Sequence, residues 1–271
     1  VAFGALTNGN RHGGCASETR GLWAGGYNPS ATNEITYITI ASEGDSIDFG
    51  DLNVARRAAG ASSSSTRGVW FGGYSPSGGG SSNRTNVIQY VEIQTLGNGL
   101  DFGDLMNNSV SNAAAASPTR SIFSGGYTLS ASIGRYEVIT TASTGNSVRF
   151  GDMLVPRARH AGCSNNTRAV FGAGRAITPS TLAPSIEYVT IASEGSAIYF
   201  GDITKERNML AAACNQTRGL FAGGYDHPLS YNIIDYITLS STGNAVDFGD
   251  CIEEKRGTAG LSDSHGGLGG F

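Results

Sequence analysis

Thr19-Arg20-Gly21-Leu22-Trp23-Ala24-Gly25-Gly26-Tyr27 decides the fold, because the chain repeats it. It returns at Thr66–Tyr74 (TRGVWFGGY), at Thr119–Tyr127 (TRSIFSGGY), at Thr167–Gly174 (TRAVFGAG) and at Thr217–Tyr225 (TRGLFAGGY). A worn copy, SHGGLGGF, occupies Ser264–Phe271. Successive copies start 47, 53, 48, 50 and 47 residues apart. A repeat of this length, made of short strands, is the signature of a propeller blade.

A second string keeps the same beat. Phe49-Gly50-Asp51-Leu52 recurs at Phe102–Leu105, Phe150–Met153, Phe200–Ile203 and Phe248–Cys251, and Phe3-Gly4-Ala5-Leu6 is a sixth version. The repeats therefore run over about 11–52, 56–105, 110–153, 157–203 and 207–251, within one domain spanning 1–271.

Each unit divides into four candidate strands. The first is built of small residues, as in Arg57-Ala58-Ala59-Gly60-Ala61-Ser62. The second is the Thr-Arg to Gly-Gly-Tyr stretch. The third is rich in β-branched and aromatic residues, as strands prefer: residues 35–40, 88–93, 136–141, 186–191 and 234–239. The fourth is expected to end at Asp-Phe-Gly-Asp. Between the third and fourth lies a short turn with glycine at a fixed place, as in Ser42-Glu43-Gly44-Asp45, where a positive φ suits that residue. The third strand is apolar on both faces, as a sheet sandwiched between two neighbours requires.

The strand count is one fourth-type strand, five full sets of four, then a first and a second strand. It sums to 1 + 20 + 2 = 23. The expectation is an all-β propeller of six four-stranded blades. Its last blade would be closed by residues 256–271 and 1–6, with its third strand missing. Such closure removes the open edges of a sheet array. Val1 falls inside a repeat, so the chain is expected to be processed or part of something longer.

Composition narrows the function. Charged residues are 15% and the net charge is −4, with no basic run, so no nucleic-acid partner is expected. No apolar stretch is long enough for a helical membrane span. The four cysteines include no CxxC pair. Cys15, Cys163 and Cys214 sit where other copies have alanine or serine, so they read as small buried thiols set far apart in different blades.

The Gly-Gly doublet ending the second strand and the aromatic residue in the fourth resemble Kelch-type propellers. The fuller pattern, Thr-Arg-Gly-Leu-Phe-Ala-Gly-Gly-Tyr followed by Tyr-Ile-Thr-Ile-Ala-Ser and Asp-Phe-Gly-Asp-Leu, resembles repeats of structural proteins in marine bacteriophages, especially cyanophages, some of them tail-associated. The resemblance implies a virion component in a tail, a fibre or the capsid exterior, among other virion proteins and further copies of itself in a homo-oligomer. The usual fourth-strand Trp of Kelch units is absent, which speaks against a cellular adaptor role.

No residue set predicts catalysis. His12, His160, His227 and His265 form no metal-ligand spacing, and there is neither a G-x-S-x-G nor a phosphate loop. No catalytic residue, cofactor or metal is assigned. Arg20, Arg67, Arg120, Arg168 and Arg218, with Asp51, Asp104, Asp152, Asp202 and Asp250, recur too regularly for one active site. They read as one structural bracket per blade, since a guanidinium fork bonds carboxylates or carbonyls in fixed geometry. The loops between second and third strands vary most, and variable loops on a rigid scaffold carry binding. Tyr27, Tyr74, Tyr127, Tyr225, Asp226, His227 and Tyr231 are the candidates there, suited to stacking on or bonding a host-surface glycan. A secreted lectin or protein-interaction module is the alternative to the virion reading.

Overall fold

The computed structural model describes residues 3–6, 10–76, 83–176 and 180–262. Among them there is no helix, and strands are ordered as antiparallel four-stranded sheets in chain sequence. The first blade is Gly13–Ala16, Arg20–Ala24, Thr32–Thr39 and Ile47–Arg56. The second is Gly60–Ser63, Arg67–Phe71, Thr85–Glu92 and Leu100–Ser109. The third is Ala113–Ala116, Arg120–Ser124, Arg135–Thr140 and Val148–Asp152. The fourth is Ala161–Ser164, Arg168–Gly172, Ser185–Thr190 and Ile198–Asp202. The fifth is Ala211–Cys214, Arg218–Ala222, Leu229–Thr238 and Val246–Lys255, and Tyr225–Asp226 adds a short hairpin to it. The molecule is an all-β propeller.

The core lies between blades rather than within them. Phe71 of the second blade stacks on Phe123 of the third at 4.0 Å, and Tyr136 of the third meets Phe171 of the fourth at 5.1 Å. Trp70 is fully buried and its indole N–H donates to the Gly13 carbonyl of the first blade at 2.9 Å. Every apolar cluster draws on two adjacent blades. Successive first strands pack on one another near the axis, which is why they hold only Gly, Ala, Ser and Cys. This convergence corrects the expectation that cysteines of different blades are far apart. Cys214 Sγ accepts the N–H of Ser164, next to Cys163 in the preceding blade, at 3.2 Å, and the nearness of Cys214 together with burial raises the Cys163 pKa well above the ordinary value. All four cysteines are free thiols.

The Phe-Gly-Asp string ends the fourth strand in the third and fourth blades, as expected, whereas in the first, second and fifth the strand runs on past it; in every blade the string makes a bulge. The register shifts at this point in every blade, as between Ile35↔Gly50 and Thr36↔Asp48. A bulge releases backbone groups from their own ladder. Here the freed groups reach the next blade: Gly97 N–H donates to the Phe49 carbonyl at 3.0 Å, and Gly99 N–H to the Asp51 carbonyl at 2.7 Å. The contact repeats from Phe102 to Gly145, from Phe150 to Gly195 and from Phe200 to Gly243.

The expected six blades are corrected to five: the described residues contain five four-stranded sheets and no sixth. Residues 3–6 still hold the place of a fourth strand, since Gly44 N–H donates to the Phe3 carbonyl at 3.1 Å and Ser46 N–H to that of Ala5 at 2.9 Å. Residues 257–262 hold the place of a first strand, where Ser262 Oγ donates to the Cys214 carbonyl at 2.7 Å as Ser164 Oγ does to Ala116. The physical reason for the missing sheet is the third strand, the only element that would join these segments by ladder hydrogen bonds. The remainder of the expected closing blade, residues 1–2 and 263–271, lies outside the described residues.

Candidate functional site at the mouth of the ring

Two residues before each first strand, the backbone turns left-handed. Arg11, Ala58, Ser111, Arg159, Met209 and Gly257 have φ of 63°, 52°, 60°, 58°, 57° and 66°. Only the last is glycine, and a left-handed non-glycine residue costs roughly 1–2 kcal/mol. The compensation is a closed cycle of backbone hydrogen bonds. Ala58 N–H donates to Arg11, Ser111 to Ala58, Arg159 to Ser111, Met209 to Arg159, Gly257 to Met209 and Arg11 to Gly257, at 2.8–3.2 Å. Six backbone positions thus encircle one end of the axis.

A second circle surrounds it. Tyr27, Tyr74, Tyr127, Arg175 and Tyr225 follow the second strands and bridge to Asn10, Arg57, Val110, Ala158 and Asn208. The Gly-Gly doublet makes this possible. Gly26 has φ 112°, and a Cβ there would lie 2.6 Å from the His12 ring. The structure thus brings four of the proposed loop tyrosines to one face. Arg175 takes the tyrosine's place in the fourth blade.

Arginines fill the space between these circles. The Arg57 guanidinium lies between two rings, 4.4 Å from Tyr27 and 4.5 Å from Tyr74. Arg84 and Arg159 lie 5.1 and 5.8 Å from Tyr127, and Arg256 lies 4.0 Å from Tyr225. Arg57, Arg84 and Arg159, together with Arg11, His12, Asn112 and His160, frame a cavity of about 310 Å³, with no Asp or Glu in its lining among the described residues. A neighbouring cavity of about 250 Å³ shares Tyr127 and Arg159 and adds Arg175 and Ser180. Burial lowers the Arg11 pKa, and the charges of Arg57, Arg159 and Arg256 lower it further, against a smaller opposite effect of Tyr127.

The other loop candidates stand apart from this cavity. His227 Nδ1 lies 2.7 Å from the Tyr225 hydroxyl, while Asp226 pairs with Leu229 in the hairpin. Tyr231 is paired with Lys255 inside the sheet. Parts of the loops at 75–85 and 175–184, namely 77–82 and 177–179, lie outside the described residues.

The recurring arginines of the second strands sit elsewhere, along the blade interfaces. Arg20 Nη1 donates to the Ile93 carbonyl, Arg67 to Thr141 and Ala142, Arg120 to Ile191 and Ala192, and Arg168 to Leu239, in each case on the next blade. Arg20, Arg67, Arg168 and Arg218 also cover Tyr37, Tyr90, Tyr188 and Tyr236 at 4.6–5.0 Å. The recurring aspartates act through the backbone. The N–H groups of Asp51, Asp104 and Asp202 donate to Asn98, Asn146 and Asn244, and that of Asp152 to Ser196. Asp152 also pairs with exposed Arg149 at 2.6 Å. Among the described residues no following turn receives Asp250 of the fifth blade.

A second set of brackets escaped the sequence reading. Arg157 and Glu187 form an ion pair at 2.9 Å with both side chains fully buried, and Arg207 pairs with Asp235 at 3.0 Å in the same way. Arg56 donates to Gln89 Oε1 at 2.8 Å in the equivalent place. The signal was present: each arginine stands seven residues after the Phe of Phe-Gly-Asp, and each partner precedes the third-strand tyrosine. The second blade has Ser109 at the arginine position, and Glu137 of the third blade is paired instead by Arg135 at 3.0 Å.

His160 and Ser124 are 2.6 Å apart, the residue types of a base and a nucleophile. Ser124 is buried, and His160 Nδ1 has no hydrogen-bond partner among the described residues. Burial, aided by the Arg157 charge, holds the His160 pKa well below its ordinary value. Its folded pKa is depressed, so its contribution to stability is present above the unfolded value near 6.5 and is lost as pH falls below it. Acid unfolding curves are expected to steepen below about pH 6.5. His160→Gln should lessen that dependence by up to one proton, as read from thermal midpoints between pH 7.5 and 5.

No protein-family model and no curated protein matches this chain.

Proposed function

We propose that this chain is a non-enzymatic structural and adhesion component of a phage virion, in the tail, a fibre or the capsid exterior. In this reading, Kelch-like blades form a rigid support that presents the mouth of the ring to a host-surface glycan. The observation that carries it is the division of labour among the repeated residues. The Thr-Arg and Phe-Gly-Asp groups join blade to blade, while four loop tyrosines gather at one face. The resemblance of the repeats to those of marine phage structural proteins supports the virion setting. Such a component would contact other virion proteins and other copies of itself.

Mass spectrometry of particles purified from the native source tests the reading. The chain should be found at fixed stoichiometry with capsid and tail proteins. Its absence from intact particles would end the virion reading. The gathering of tyrosines equally favours a secreted lectin as the second reading. That one expects saccharide binding by the isolated chain and no particle association.

A further inference from the structure

We infer that the mouth binds a compact anionic sugar, a saccharide of one or two rings bearing a carboxylate, sulfate or phosphate. This rests on the reading that the mouth is the binding face, and it adds the charge and size of the ligand.

The first argument is charge. The chain as a whole is at −4, yet Arg11, Arg57, Arg84 and Arg159 converge from three blades on a cavity that, among the described residues, is lined by no carboxylate. Among the described residues, the side chains of Arg11, Arg57 and Arg159 make no ion pair; the pairs that exist lie elsewhere. Cations gathered in this way repel one another: the Arg11 pKa is lowered first by burial and then by the charges of Arg57 and Arg159. An anion placed among them removes that repulsion.

The second argument is geometry. The Arg57 Cζ lies over both the Tyr27 and the Tyr74 ring, at 4.4 and 4.5 Å from their centroids, so the two rings hold the guanidinium without accepting from its N–H groups. Its N–H donors lie in the plane of the group and remain available for a two-pronged bond to a carboxylate, sulfate or phosphate. The two rings also fix a side chain that would otherwise lose rotamer entropy on binding.

The third argument is size and shape. A cavity of about 310 Å³ is at the small end of ligand pockets. The six backbone N–H groups at the ring are spent on one another, so no edge is offered to an extended peptide strand. A compact ligand held by side chains fits, and the tyrosine rim suits the apolar face of a sugar ring.

Isothermal titration calorimetry of the full chain with sodium glucuronate, glucose 6-sulfate, glucose 6-phosphate, neutral glucose, inorganic sulfate and an acidic hexapeptide tests the inference. The charged sugars should bind more tightly than glucose, and more weakly as salt rises. Arg57→Met and Arg159→Met, in different blades, should each weaken them at least tenfold, whereas Arg149→Met, outside the mouth, should not. Thermal midpoints confirm folding, and Arg57→Lys, which keeps the charge and loses the planar fork, stands in if Arg57→Met does not fold. Equal binding of glucose and glucuronate, unaffected by Arg57→Met, overturns the anion while leaving the glycan reading standing. Inorganic sulfate binding as tightly as the charged sugars overturns the sugar, and preference for the acidic peptide overturns it in favour of a protein ligand. No binding by any probe overturns the inference and removes the mouth from the proposed function, while the virion reading is still decided by the particles.

Discussion

Arg157→Ala is expected to destabilise the propeller by about 3–5 kcal/mol, the cost of leaving one partner of a buried ion pair without the other. Glu187 is fully buried, and its carboxylate already accepts a hydrogen bond from the Tyr136 hydroxyl at 2.5 Å and one from the Leu154 N–H at 3.2 Å. These two neutral donors do not replace a cation. Removing Arg157 also takes a donor from the Ala173 and Ser185 carbonyls, to which its Nη1 donates at 3.2 and 2.6 Å; the Ser185 carbonyl keeps the Ala173 N–H at 3.3 Å. For a chain of this size the loss corresponds to a fall in Tm of roughly 10 °C. The companion double variant Arg157→Met/Glu187→Leu should recover most of the loss, because apolar side chains of similar volume cancel the desolvation cost. Thermal or urea unfolding of the three proteins measures this. A single variant within 1 kcal/mol of the parent would show that the pair carries no weight.

Gly103→Ala should cost about 2–4 kcal/mol. Gly103 has φ 145°, a conformation that disfavours any side chain, and its added Cβ would lie 2.4 Å from the Gly145 carbonyl oxygen of the next blade. That carbonyl belongs to the turn whose Gly145 N–H donates to Phe102, so the clash falls on the bond that joins the two blades. Gly249 offers the control. It has φ 137° in the same string, but nothing lies within 4 Å of its Cβ direction because, among the described residues, no turn follows the fifth blade. Gly249→Ala should therefore cost only the backbone strain, about 1–2 kcal/mol. The difference between the two variants isolates the blade-to-blade contact. Equal effects would mean that the string serves its own strand alone.

The spread of these effects follows from the architecture. Each blade meets its neighbours through apolar packing, a bulge-to-turn contact and, in three of the five, a buried arginine. Among the described residues the fifth blade lacks the following turn, and its Phe248 is 53% exposed where Phe49, Phe102, Phe150 and Phe200 are buried. The same residue type at the same phase thus has a different environment, decided by whether a neighbour is present.

The sequence by itself determined the repeat, the four strands of each blade and the face on which variable loops emerge. These follow from short-range rules: alternation, β-branched content and glycine at positive φ are written into each unit. It also marked Arg20, Arg67, Arg120, Arg168 and Arg218 as recurring groups, since periodicity alone reveals them. Only the tertiary structure decided that five sheets rather than six form among the described residues, because a sheet needs a ladder partner and strand counting cannot supply one. Only it showed that the Phe-Gly-Asp aspartates work through their N–H groups, and that Cys163 meets Cys214. The arginine mouth was equally hidden. Arg11 and Arg159 share a phase at which the other copies hold Ala58, Ser111, Met209 and Gly257, while Arg57 and Arg84 stand at other phases, so no recurring arginine marks the group. They meet because residues far apart in the chain, held by a cycle of backbone hydrogen bonds, converge on one axis.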